Sequence, residues 1–149
     1  MKNRDLTNIM EMIEKAERVF VYGTGVVQAN MAGELRRVFL YTNKVFHAVG
    51  NGTEIDTILN NVTKNDLFII ISLSGDNETA VTLARALRGL HIPRIGIAKL
   101  GNTLLSKYTF RYETFKVGMS DILYGSTAHF FIISDFLFLR YLEYSQEKG

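Results

Sequence analysis

Residues 67–71, Leu-Phe-Ile-Ile-Ile, form an unbroken apolar run bounded by Asp66 and Ser72. The run has the length of a strand and is rich in β-branched side chains, with no polar position to turn toward water. It reads as a strand buried on both faces, the environment of a parallel sheet. Small polar residues follow, Ser72-Leu73-Ser74-Gly75-Asp76-Asn77, and then Ala80, Leu83, Ala84 and Leu87 recur at the spacing of one helical face. The chain thus passes from a strand end, through a hydroxyl-rich turn, into a helix N-terminus. Backbone N–H groups and the positive end of a helix dipole meet there and favour an anion. Capping by Asp76 or Ser74 accounts for one polar residue of the turn. It does not account for a serine at the tip of an apolar strand with a second serine two residues on, both able to lean the same way. Hydrogen bonds to a charged group contribute about 1.5–3 kcal/mol each, so two hydroxyls and a few amides can hold a phosphate monoester without a lysine.

Helix and strand patterns alternate along the rest of the chain. Leu6, Ile9, Met10 and Ile13 mark a first helix capped by Asp5, with Glu14 and Arg18 spaced to pair. A short strand, residues 19–22, ends at Gly23-Thr24-Gly25. A helix over 28–41 follows, with Met31, Leu35, Val38 and Phe39 facing inward. Residues 45–49 make the next strand, and Ile55, Ile58 and Leu59 a short helix. After the helix over 77–90, Pro93 bars continuation and residues 94–98 make a fourth strand. Residues 108–112 alternate like an edge strand, and a long helix from Ser120 to about Tyr144 closes the chain. Strands joined by helices imply right-handed crossovers and an α/β fold with a parallel sheet covered on both faces. In such sheets ligands lie beyond the carboxyl ends of the strands, where both the Gly23–Gly25 and the Ser72–Gly75 loops fall.

Composition narrows the function. The 149 residues suit one domain, 1–149, and 47% hydrophobic content provides a core. A formal charge of +2 from mixed signs lacks the basic stripe of a nucleic-acid surface. Cysteine is absent, which removes disulfides and thiolate chemistry and suits a cytoplasmic location. No stretch has the length of a membrane span, and the N-terminal residues do not resemble a signal peptide. His47, His91 and His129 are scattered without partners at ligand spacing, so no metal site is expected. His91 reads as a solvated loop residue, whereas His47 and His129 can reach the strand-end crevice. Gly23-x-Gly25 is half of a dinucleotide fingerprint, but Gln28 stands where a third glycine belongs and no acid ends the next strand. A tight turn explains the glycines equally well, and no cofactor is expected. The closing helix is apolar nearly all round, including Phe130, Phe131, Ile132, Phe136, Phe138 and Leu139. The sheet covers one side; a second copy of the chain in a homodimer is the simplest cover for the other.

The order VYGTG, DLFIIISLSGDNET, IPRIGIAKLGNTLLSKYTF and GSTAHFFIISDFLFL resembles the sugar isomerase (SIS) domain, in particular the ligand-sensing half of RpiR-family bacterial transcription regulators. The resemblance covers nearly the whole chain and is most specific at Ser72-Leu73-Ser74-Gly75; Asp135 in the apolar last helix supports it. It implies a three-layer αβα sandwich around a five-stranded parallel sheet, Rossmann-like in organisation, that dimerises and binds a phosphosugar. Ser72, Ser74, Gly75 and Asn77 would hold the phosphate, with Gly23, Gly25 and Gln28 on the facing loop. Val27 and Ala98 depart from the family pattern, which usually has a serine and a threonine there; Gln28 can substitute for the lost donor. RpiR regulators also carry an N-terminal helix-turn-helix domain, expected to lie outside this chain, so DNA contact would come only through that domain. Two functional classes stay open: a non-catalytic phosphosugar sensor, and an isomerase or amino-sugar-phosphate lyase of the same fold. Moving a proton between carbons needs a tuned base, for which Glu54, Glu78 and His129 are the candidates; none sits in a catalytic motif. The sensor is the favoured reading.

Overall fold

A computed structural model describes the backbone of residues 3–72, 77–99, 109–112, 116–119, 122–125 and 128–148, and the side chains of 6–72, 77–98 and 131–147. The elements are α1 (Asn3–Lys15), β1 (Val19–Gly23), α2 (Val26–Phe39), β2 (Phe46–Val49), α3 (Thr53–Leu59), β3 (Leu67–Ser72), α4 (Glu78–Gly89), β4 (Arg94–Lys99), β5 (Thr109–Tyr112), β6 (Lys116–Met119), β7 (Ile122–Gly125) and α5 (Ala128–Lys148). The first five strands form one parallel sheet in the order β2-β1-β3-β4-β5. β1 and β3 are buried at every position, as an unbroken apolar strand requires.

The two faces of the sheet build separate cores. On one side Val19, Val21, Leu67, Ile69, Ile71, Ile95 and Ile97 pack with apolar residues of α1, α2 and α5. On the other, Phe20, Tyr22, Phe68 and Ile70 pack with Ile55 of α3 and with Ala80, Leu83, Ala84 and Leu87 of α4. Period-two alternation along β1 and β3 therefore sends successive side chains into different helical layers, and the result is an αβα sandwich. The expected inner faces of the helices over 28–41 and 77–90 are buried as their spacing requires.

Three local expectations are corrected. Asp5 lies within the first turn of α1 and not at its cap, because the helix begins at Asn3. Arg18 does not pair with Glu14: α1 stops at Lys15, and Arg18 instead donates Nε and Nη2 to the buried carboxylate of Asp66 at 3.1 and 2.8 Å. Burial pushes the Asp66 carboxyl up, but bonds from Arg18 and from the Thr63 amide outweigh it and hold the group below the usual carboxylate range. The closing helix does not reach back to residue 122. Ile122, Leu123 and Tyr124 lie in β7, antiparallel to β6, and α5 starts at Ala128. Ser120 and Tyr108 lie outside the described residues.

The far end of α1 is held by its neighbours. Lys44 Nζ donates to the carbonyls of Glu14 and Ala16 at 2.9 and 2.7 Å, and the Tyr141 hydroxyl of α5 donates to the Glu14 carboxylate. On α5, Ile133, Leu137 and Tyr141 are buried against the core, while Phe131, Ile132, Phe136 and Leu139 stay exposed. This helix is thus apolar on two sides. Phe138 belongs to the inner packing, edge-on to Phe39 at 5.9 Å.

Candidate functional site

In the order β2-β1-β3-β4-β5 the connections reverse direction between β1 and β3: β1 leads outward to β2 through α2, and β3 leads the other way to β4 through α4. At such a reversal the two outgoing loops diverge to opposite faces and leave a crevice beyond the strand ends. The loops here are the two singled out from the sequence. β1 ends at Gly23 opposite Ile71, and the Thr24 amide extends the ladder by donating to the Ile71 carbonyl at 3.1 Å.

Gly23 lets β1 and α2 meet without a side chain between them. A Cβ there would collide with the carbonyl group of Gln28 and the nitrogen of Ala29, all backbone atoms. Gly25 caps α2 in an extended conformation and, having no side chain, offers the first-turn amides no capping bond. No acidic residue lies in that turn, so the helix supplies no counter-charge of its own to the positive end that faces the crevice. The Gln28 carboxamide folds back over Gly25, its Oε1 2.5 Å from where a Cβ would stand. Val26, in the same turn, is 81% exposed.

On the facing side Ser72 is buried at the end of β3 and in register with Ala98 of β4. Asn77 is the N-cap of α4, its Oδ1 accepting from the Ala80 amide at 3.2 Å. Capping therefore falls to Asn77, and neither Asp76 nor Ser74 is needed for it. With the oxygen engaged, the Asn77 Nδ2 group remains as a donor on this side. Ser74 and Gly75 lie outside the described residues. The structure thus brings Gly23, Gly25, Gln28, Ser72 and Asn77 to one edge of the sheet.

The candidate bases are less well gathered. Glu54 and Glu78 are exposed in the first turns of α3 and α4. The His129 side chain lies outside the described residues. His47 does not reach the crevice: it is the second residue of β2, paired with Phe20, and its ring stands 5.4 Å from that phenyl. His91 is exposed in a left-handed turn after α4, as a loop residue would be. Among the described residues no group of His, Cys, Asp and Glu is placed to hold a metal, and no helix is long and apolar enough to cross a membrane.

Known proteins bear on this arrangement. The chain is 34% identical over 152 residues to the HTH-type transcriptional regulator GlvR of Bacillus subtilis (strain 168), covering 99% of this chain and 60% of that protein. It therefore spans well under two thirds of that relative's length. Among solved structures, the sugar isomerase domain of an RpiR transcription factor from Sphaerobacter thermophilus matches with a TM-score of 0.79 at 17% identity, over 98% of this chain and 86% of the other. The NanR protein of Vibrio vulnificus, complexed with ManNAc-6P, matches with a TM-score of 0.75 at 16% identity, over 99% and 60%. Proteins described as sugar-phosphate isomerases share the fold as well. The SIS domain model matches residues 12–136, a span that runs from the end of α1 through both crevice loops into α5, and the chain belongs to the SIS domain family.

Proposed function

We propose that residues 1–149 are the phosphosugar-binding sensor domain of an RpiR-type transcriptional regulator. A sugar phosphate binds in the crevice between β1 and β3, and a helix-turn-helix domain outside this chain contacts DNA. Ser72, Ser74, Gly75 and Asn77 hold the phosphate; Gly23, Gly25, Gln28 and the uncapped start of α2 face it across the crevice. The observation that carries this reading is the pairing of a buried strand-end serine with an uncapped, acid-free helix N-terminus at the one reversal of the sheet. The likeness to GlvR along 99% of this chain supports a regulator, and the NanR complex with ManNAc-6P supports the ligand class. The location is cytoplasmic, and the protein acts by binding and not by catalysis.

The test is thermal unfolding of the chain against inorganic phosphate, hexose and pentose phosphates and ManNAc-6P. A ligand at a hundred times its Kd stabilises the folded state by about 2.7 kcal/mol, a readily measured shift. Ser72→Ala should weaken the bound phosphosugar about tenfold or more, through loss of one hydrogen bond to a charged group. An unchanged affinity in that variant would remove Ser72 from the site. Isomerase or lyase activity is the competing reading, favoured by the shared fold of the isomerases. It requires solvent-proton exchange into the bound sugar; binding without exchange supports the sensor.

The chain forms a homodimer through the outer face of α5. Ile132, Phe136 and Leu139 recur there at helical spacing and are exposed. The double variant Ile132→Asp, Leu139→Asp should sediment as a folded monomer where the parent sediments as a dimer. A monomeric parent would end this assignment.

A further inference from the structure

A third loop reaches the same edge. Tyr22 of β1 is in register with Val49 of β2, so Gly50 and Asn51 extend beyond the strand ends beside the Gly23–Gly25 turn. The Tyr22 side chain enters the core between the sheet and α3 and α4 and is 1% exposed, yet its hydroxyl reaches out to donate to Asn51 Oδ1. Burial pushes the Tyr22 phenol up. With Oδ1 engaged by the hydroxyl, the Nδ2 group of the exposed Asn51 remains as a donor. The rest of the loop is shaped around this pair. Gly52 takes a φ of +71°, open to few side chains, and the Glu54 carboxylate lies back over Gly50, its Oε2 2.9 Å from where a Cβ would stand. An amide donor tied to the core through Tyr22 and a carboxylate acceptor thus share one short loop.

Space adjoins them. A cavity of about 390 Å³ lies between α3 and α4, its lining including Gly52, Ile55, Glu78 and Leu83. The loop after β2 is separated from Ser72 by β1 alone. Two strand spacings of ~4.8 Å give about 10 Å, a span that a hexose 6-phosphate bridges together with the hydrogen bonds at its two ends.

We infer that the Asn51–Glu54 loop is the sugar-reading subsite of the crevice, Asn51 donating to and Glu54 accepting from ring hydroxyls of a hexose phosphate, with Tyr22 as the positioning residue for Asn51. This rests on the phosphosugar reading above and adds to it the size of the ligand and the residues that select it. A donor–acceptor pair suits vicinal hydroxyls, and a three-carbon phosphate is too short to meet it.

The experiment is calorimetric titration of the 149-residue chain with glucose 6-phosphate, ManNAc-6P and glycerol 3-phosphate. Asn51→Ala should weaken a hexose phosphate about tenfold and leave glycerol 3-phosphate unchanged. Tyr22→Phe should give part of the same selective loss, because the carboxamide is freed and not deleted; a variant merely damaged in folding would lose both ligands alike. Should Tyr22→Phe unfold, Asn51→Asp keeps the test, since it retains the acceptor and replaces the donor by a negative charge. If the parent binds hexose phosphate and Asn51→Ala and Asn51→Asp bind it equally well, the subsite is wrong while the phosphate site stands. If Ser72→Ala and the parent alike bind no phosphate ester, both readings fall.

Discussion

Gly23→Ala should lower the urea midpoint of the domain sharply and abolish its response to any phosphosugar. The added methyl would fall within the van der Waals shell of the Gln28 carbonyl and the Ala29 nitrogen. Those are backbone atoms of α2 and have no rotamer to adopt, so the helix itself must back away from β1. Overpacking in a core commonly costs about 1–3 kcal/mol and more when the backbone has to move; we expect the upper part of that range. The ligand effect comes from the same displacement, because the start of α2 is the side of the crevice that retreats. Gly25→Ala provides the contrast. Its methyl meets only the far end of the Gln28 side chain, which can swing aside. An unchanged midpoint for Gly23→Ala would show that β1 and α2 do not meet as closely as described.

Phe39→Ala should cost about 3–5 kcal/mol, the range for truncating a buried aromatic side chain. Phe39 is fully buried at the last turn of α2, where it stacks on Phe46 of β2 at 3.9 Å and stands 5.4 Å from Tyr141 of α5. One ring thus ties the neighbouring elements α2 and β2 to α5, at the far end of the chain. A domain stable by about 5–15 kcal/mol would lose a large share of that margin. Tyr41→Ala is the control, since that ring is exposed and its loss should stay within about 0.5 kcal/mol. Equilibrium urea unfolding of the two variants measures the difference; equal midpoints would contradict the packing.

How much of this was legible from the residues depended on whether a segment's environment was written locally. Residues 67–71 are apolar without interruption because β3 is covered on both faces, and the identity of the strand follows from that alone. The stripe Ala80, Leu83, Ala84, Leu87 likewise announces which side of α4 turns inward. Ile122-Leu123-Tyr124 fails by the same logic: a short apolar run fits a helix turn or a strand, and only the pairing with Lys116–Met119 decides it. For Arg18 helical spacing suggests a local partner, but α1 ends at Lys15 and the carboxylate comes from Asp66, next to the start of the adjacent strand β3. The crevice loops were found because glycines and serines at strand tips are unusual. The third loop was missed, since the tie between Tyr22 and Asn51 joins residues distant in sequence and neither type is uncommon at a strand end or in a turn. Only its glycines, Gly50 and Gly52, hinted at a special turn.

The placement of β1 between β2 and β3 also bears on how the protein is made. A ribosome delivers β2 soon after β1, but the strand that seals the other edge arrives only after α3 has been completed. Until then the nascent chain carries a wholly apolar Val-Phe-Val-Tyr segment with one row of amides and carbonyls bare, a template for joining another chain. Synthesis of residues 50–66 therefore fills the interval in which that edge of β1 stands open.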